Sequence, residues 1–276
     1  MFNKVTSLAV FFCCAGAVLS AGEIKNIAYY TKGVPVQGNE QALRKRCTLD
    51  LSTPESKKFP TLVWFHGGGL SRGGKHYPTN IDRSKIAVAA VNYRLSGKDV
   101  KAPDYIYDAA AAVSWVLDNI GKHGGDPAKV YVAGHSAGGY LSAMIALDKK
   151  YLEKFGKKPS QLAGVFPISG QMSTHFQVLG ERRKKDPSTP KFMVDELAPL
   201  FYGSKNAPYM IFYCGDPAKD WPARAEENQL LAARLKYVFK HKNVKYVSIP
   251  ETNHGSCVHP SLFLINADII RLNKSK

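Results

Sequence analysis

Cysteine is scarce in this chain of 276 residues: there are five, and Cys13 and Cys14 fall in an apolar N-terminal stretch. The other three, Cys47, Cys214 and Cys257, are too few for a disulfide-stapled scaffold and allow at most one internal bridge. Cys214 ends a predicted strand and Cys257 follows His254 by three residues, so the two would pair if both lie at one sheet edge. Otherwise all three are buried or partly buried thiols. Metal-ligand spacings are missing as well: there is no Cys-x-x-Cys and no His-Glu-x-x-His. With no Gly-x-x-x-x-Gly-Lys-[Ser/Thr] either, the glycine clusters do not read as a phosphate cradle. No cofactor and no metal are expected.

Acidic residues are few, 22 Asp and Glu against 38 Lys and Arg, which leaves a formal charge of +16. The excess is spread along the chain, and no basic run is interleaved with aromatics, so nucleic acid is not an expected partner. The densest cluster is Arg182-Arg183-Lys184-Lys185. It reads as a solvated basic surface, or as a patch attracting acidic polymers or an anionic cell surface. Internal repeats and low-complexity segments are absent, and 45% hydrophobic with 22% charged residues is the composition of an ordinary globular protein. The length suffices for one sizeable core.

Long apolar runs are missing except at the start. Lys4 precedes a stretch from Val5 to Leu19, which Leu19-Ser20-Ala21 closes with small residues. That layout is a secretory signal peptide over residues 1–21, too short for a comfortable membrane span. The mature chain, 22–276, is expected to be one domain, secreted or periplasmic and not integral to the membrane.

Apolar runs bounded by turn residues recur along it. Candidate strands are Asn26–Tyr30, Cys47–Ser52, Thr61–Phe65, Ile86–Asn92, Val130–Gly134, Ala163–Ser169, Tyr209–Cys214 and Lys245–Ile249. From Thr61 onward they are mostly continuous apolar runs, as expected of strands buried on both faces. Helical patterns lie between and after them at Asp104–Ile120, Ala137–Leu147, Pro222–Phe239 and Pro260–Leu272. The alternation predicts a mostly parallel eight-stranded α/β sheet with helices on both faces. The two earliest strands lack an intervening helical pattern and are expected as an antiparallel edge. The link 171–206 holds three prolines, the basic cluster and a short helical pattern at Met193–Tyr202. A connection that long reads as a small cap over the active-site end of the sheet.

The chemistry concentrates where strand Val130–Gly134 meets helix Ala137–Leu147. Gly134-His135-Ser136-Ala137-Gly138 places a serine at a strand-turn-helix apex, with glycines that let the two elements approach closely. A serine nucleophile needs a base, a group that orients the base, and donors for an oxyanion. Trp64-Phe65-His66-Gly67-Gly68-Gly69 opens an apolar strand into bare backbone, so Gly68 and Gly69, with the amide of Ala137, are the expected oxyanion donors. His66 is expected to brace that loop. His254, in the loop after the last strand, is the expected base, since His259, its late rival, opens a helix. The acid should follow Tyr209–Cys214, where Asp216 and Asp220 both qualify on physical grounds and the one not used would cap a turn or helix. Trp221, Tyr140 and Leu70 are candidate pocket residues.

These segments, with Asn92-Tyr93-Arg94-Leu95, Gly124-Gly125-Asp126-Pro127 and Asn253-His254-Gly255, occur in the order seen in α/β-hydrolases. The chain resembles the esterase/lipase branch related to hormone-sensitive lipases and bacterial ferulic-acid-type esterases, from about Ala42 to the C-terminus without 170–196. The resemblance implies Ser136 as nucleophile, His254 as base and Gly68, Gly69 and Ala137 as oxyanion hole. Asp220-Trp221-Pro222-Ala223-Arg224-Ala225-Glu226-Glu227-Asn228 lines up with the second aspartate of the family pattern, which favours Asp220 over Asp216. The implied activity is serine carboxylesterase chemistry; the expected secretion, a short cap and the basic surface point to short-acyl or carbohydrate-linked esters, small molecules or acylated polysaccharides, as its substrates. The alternatives are amide hydrolysis of the aryl-formamidase or peptidase type, and a non-catalytic binding protein that keeps the fold.

Overall fold

A computed structural model describes residues 22–274; the expected leader over 1–21 lies outside the described residues. Eight strands form one sheet: β1 (Gly22–Ala28), β2 (Thr48–Thr53), β3 (Phe59–Phe65), β4 (Ala87–Val91), β5 (Gly125–His135), β6 (Gly164–Ile168), β7 (Met210–Cys214) and β8 (Val244–Ser248). Their order is β1-β2-β4-β3-β5-β6-β7-β8, antiparallel from β1 through β2 to β4 and parallel from there on. Seven α-helices accompany them among the described residues: α1 (Glu40–Arg46), α2 (Asp104–Asn119), α3 (Ala137–Leu147), α4 (Lys149–Glu153), α5 (Phe176–Lys185), α6 (Arg224–Ala233) and α7 (Val258–Lys274).

The two-residue side-chain period divides the core. Val63, Phe65, Val130, Val132, Met210 and Phe212 face one apolar cluster with α2, α3 and α6. Leu62, Trp64, Tyr131, Ala133, Ile211 and Tyr213 face a second with α7. Both faces are thus covered, which is why the central strands read as unbroken apolar runs.

Two details differ from the sequence reading, and a third decides between its alternatives. The short helix α1 lies between β1 and β2, capped by the Asn39 side chain accepting from the amide of Ala42. Its seven residues make about two turns with a single buried residue, Leu43, too brief to show as a period. In the long link the helix is α5, not Met193–Tyr202, where only a tight turn, Pro199–Phe201, forms. The last turn of α5 carries Arg182, Arg183, Lys184 and Lys185, and that cationic run suits the negative end of a helix. Cys47, Cys214 and Cys257 are all buried free thiols.

The parallel register brings strand ends to one rim. Phe65 pairs with Gly134, His135 with Ile168, Ile168 with Tyr213, and Cys214 with Ser248. The loops that leave β3, β5, β6, β7 and β8 therefore meet on one side, the usual place for chemistry in such sheets.

Candidate active site

Ser136 is the single residue between β5 and α3. Its backbone sits at φ 54° and ψ −112°, a conformation an L-residue adopts only under constraint. The constraint is close packing. A Cβ on Gly138 would lie 2.1 Å from the carbonyl oxygen of Phe65, and one on Gly134 would lie 2.4 Å from the backbone of Gly138. Without those atoms α3 settles directly against β3 and β5. The amide of Ser136 then donates to the carbonyl of Ile168 at 2.8 Å, tying the apex to β6.

The hydroxyl has a partner from a remote loop. Ser136 Oγ lies 2.9 Å from His254 Nε2, and His254 Nδ1 lies 2.8 Å from Asp220 Oδ1. With a carboxylate beside it, Nδ1 carries the proton and donates, so Nε2 is left to accept from the serine. Asp220 is held on every side. Its Oδ2 accepts from Ser169 Oγ at 2.7 Å and from the amide of Gly215 at 3.0 Å, and its Oδ1 accepts from the amide of Trp221 at 2.7 Å. Burial pushes the carboxyl pKa upward, but the hydrogen bonds from His254, Ser169 and Trp221 together outweigh it and leave the group below its ordinary value. Asp216 instead accepts from the amides of Ala218 and Glu251, both at 3.0 Å, and shapes the acid loop. His259 lies on α7 with Nδ1 3.1 Å from Thr79 Oγ1.

The glycine loop completes the group. Gly68 and Gly69 have φ of 112° and 62°, and a Cβ on Gly68 would lie 2.2 Å from the carbonyl oxygen of Arg72. The carbonyl of Gly68 accepts from the amides of Ser71 and Arg72, while the amides of Gly68 and Gly69 donate to nothing among the described residues. The amide of Ala137 belongs to the first turn of α3, where backbone donors have no helical partner. The motif from Asn92 to Leu95 props this loop. Asn92 Oδ1 accepts from the amide of Lys75, Tyr93 donates to the carbonyl of His66 at 2.8 Å, and the amide of Ser96 donates to the carbonyl of Leu70. Arg94 grips Asp108 through two bonds of 2.8 and 2.7 Å, a buried pair locking the strand end to α2. His66 stacks on Tyr93 with ring centres 4.4 Å apart, and burial lowers its pKa to about 4.

Residues 49–235 match the BD-FAE family. The chain belongs to that family. The BD-FAE match contains the glycine loop, the serine elbow and the acid loop, while His254 lies beyond its end. Mouse carboxylesterase 1E (Mus musculus) is 30% identical over 160 residues, 54% of this chain and 28% of that protein. Liver carboxylesterase B-1 of Rattus norvegicus is 34% identical over 36% of this chain and 20% of its own length. The chain thus spans less than a third of the curated relatives it matches. Among solved structures, a truncated carbohydrate esterase from gut microbiota superposes with a TM-score of 0.68 at 16% identity, covering 94% of this chain and 98% of that one. A thermophilic esterase of Thermogutta terrifontis with butyrate bound gives 0.62 at 22% identity, covering 82% and 90%. At that level of identity the likeness is one of fold, and the fold is that of an α/β-hydrolase.

Other residues of the site escaped the sequence reading. His135, the variable residue of the elbow motif, donates from Nε2 to the carbonyl of His254 at 2.8 Å and holds the base loop. Burial lowers its pKa to about 4, so the ring stays neutral. Ser169 ends β6 at φ 44° and supports Asp220 from beneath. Phe176 leans on the glycine loop, its ring 3.0 Å from where a Cβ on Gly69 would sit. No local pattern marks these contacts, because each joins loops over 50 residues apart. Of the candidate pocket residues, Trp221 stacks flat on His254 at 4.1 Å and 11° and is 44% exposed. Tyr140 and Leu70 are core residues, and the Tyr140 hydroxyl is used up on the carbonyl of Leu197.

Proposed function

We propose that this protein is a serine carboxylesterase that hydrolyses short-acyl or carbohydrate-linked esters through an acyl-enzyme. The observation that carries the reading is the unbroken line from Ser136 through His254 to Asp220, with bonds of 2.9 and 2.8 Å. In that line His254 takes the proton of Ser136 as its oxygen attacks the ester carbonyl. Charge that develops on the carbonyl oxygen meets the amides of Gly68, Gly69 and Ala137. Collapse expels the alcohol, which takes the proton back from His254 Nε2, and leaves the acyl group on Ser136. Water then attacks, giving its proton to His254, and the acid departs with the serine restored. Asp220 keeps the imidazole in the required tautomer throughout.

Support for the ester class comes from the family and from the carboxylesterases and esterases it resembles, and support for a sugar-borne ester from the likeness to a carbohydrate esterase. Trp221 and Phe176, the latter 38% exposed, leave apolar rim open beside His254, where the alcohol must leave. The basic, apolar and small-residue sequence of residues 1–21 supports export from the cytoplasm. The test is release of acid from nitrophenyl acetate and butyrate, feruloyl esters and acetylated xylan. A fluorophosphonate probe should label Ser136 and leave Ser136→Ala unlabelled. No turnover on any of these esters, or labelling that survives the substitution, would refute the reading.

A further inference from the structure

Away from the Ser136 group, α5 and three neighbouring segments line an open cavity of about 500 Å³. Lys101 from the loop before α2, Lys150 from α4, and Arg182, Lys184 and Lys185 from α5 line it, against Glu181 and Glu196. Positions 101, 150 and 182–185 are distant in the chain, so the convergence of five cations is a product of the fold. Three of them are held by carboxylates: Lys101 by Glu181 at 3.4 Å, Lys150 by Asp148 at 2.8 Å and Arg182 by Asp195. Lys184 and Lys185 are exposed, and neither makes an ion pair among the described residues. The cavity is therefore lined by three cations paired with carboxylates and by two exposed cations with no ion-pair partner among the described residues.

The same helix reaches the other site. Phe176, its first residue, touches the glycine loop, and Val178, Glu181, Arg182 and Lys185 lie at helical spacing along one face toward the cavity. At the α-helical rise the basic turn lies about 9 to 13 Å along α5 from Phe176, the residue that touches the glycine loop. A small ester cannot span that gap, whereas a polymer can.

We infer that this cavity is a subsite for the carboxylate of an acidic polysaccharide, engaged while an ester elsewhere on the same polymer sits at Ser136. The inference rests on the esterase reading for its meaning but not for its test, because binding is measured with a ligand that carries no ester. Full-length protein is titrated with unesterified oligogalacturonate, with a neutral xylo-oligosaccharide of equal length, and with dextran sulfate. Oligogalacturonate should bind and the neutral oligomer should not. Lys184→Ala/Lys185→Ala should weaken oligogalacturonate at least tenfold, while the charge-matched surface change Lys242→Ala/Lys245→Ala should weaken it less than twofold. Turnover of nitrophenyl acetate by the Lys184→Ala/Lys185→Ala variant should stay within twofold of wild type, which also shows that it folds. Equal loss in the two double variants, unchanged affinity in the first, binding of the neutral oligomer, or binding of dextran sulfate alone overturns the proposal. Absence of nitrophenyl acetate turnover in wild type would instead strike the esterase reading and leave the binding result standing.

Discussion

At the scale of single residues the candidate site separates groups that react from groups that hold them. Asp220 meets the imidazole at 2.8 Å and Asp216 meets only backbone amides. Replacing the carboxylate by an amide at Asp220 leaves the shape and removes the acceptor that fixes the tautomer, so Asp220→Asn should lower kcat by about 10⁴-fold. Asp216→Asn keeps an acceptor oxygen for the turn and should change kcat less than threefold. Parallel kinetics on one nitrophenyl ester decide between them, and the reverse ranking would reassign the acid. Trp221 lies flat on His254, limiting the ring's freedom on its solvent side. Trp221→Ala should cut kcat about tenfold, and Trp221→Phe should recover most of it. Equal losses in both variants would mean that the indole acts through some contact other than stacking.

At the scale of elements, the β5-turn-α3 junction depends on what its glycines omit. A Cβ at 2.1 Å from the Phe65 carbonyl cannot be relieved by a side-chain rotation, because the obstacle is strand backbone. Gly138→Ala should therefore destabilise by about 4 kcal/mol or more, whereas Gly121→Ala, whose Cβ meets nothing within 4 Å, should stay within about 0.5 kcal/mol. Thermal unfolding of the two side by side checks this, and a stable Gly138→Ala would mean that α3 can shift. The junction was legible in sequence because its determinants are local: β-favouring residues, two glycines and an apolar helix within a dozen positions. The strands from β3 onward were legible for the same reason, through mostly continuous apolar runs between turn residues. The long link 171–206 was read less well. Met193–Tyr202 has helical spacing, yet Pro199 admits only a tight turn, while Phe176–Lys185 hides its helix behind four consecutive basic residues. Asp220 could not be separated from Asp216 by local physics, since the choice is made by Ser169, Gly215 and His254 converging from three loops. His135 illustrates the limit: its partner is the carbonyl of His254, 119 positions away.

At the scale of the whole molecule, burial of neutral histidines couples the site to acid stability. Burial lowers His66 and His135 to about 4 and His175 to about 3, all from an ordinary value of 6.5. Above pH 6.5 neither the folded nor the unfolded chain protonates them, and they cost nothing. As pH falls below 6.5 the unfolded chain takes up these protons and the folded one does not, so unfolding is favoured until the folded rings titrate near pH 4 and 3. Stability should thus decline from pH 6.5 downward, with each ring contributing at most about 1.4 kcal/mol per pH unit. Two of the rings flank the chemistry: His66 lies beneath the glycine loop and His135 beneath the base loop. A His175→Gln variant, altering the ring packed on Phe176 and Tyr140, should show a shallower decline than wild type between pH 6 and 4. Denaturant titrations at half-unit pH steps give the slope directly. An unchanged slope in that variant would mean that the ring protonates in the folded state through a local opening around Phe176 and Tyr140.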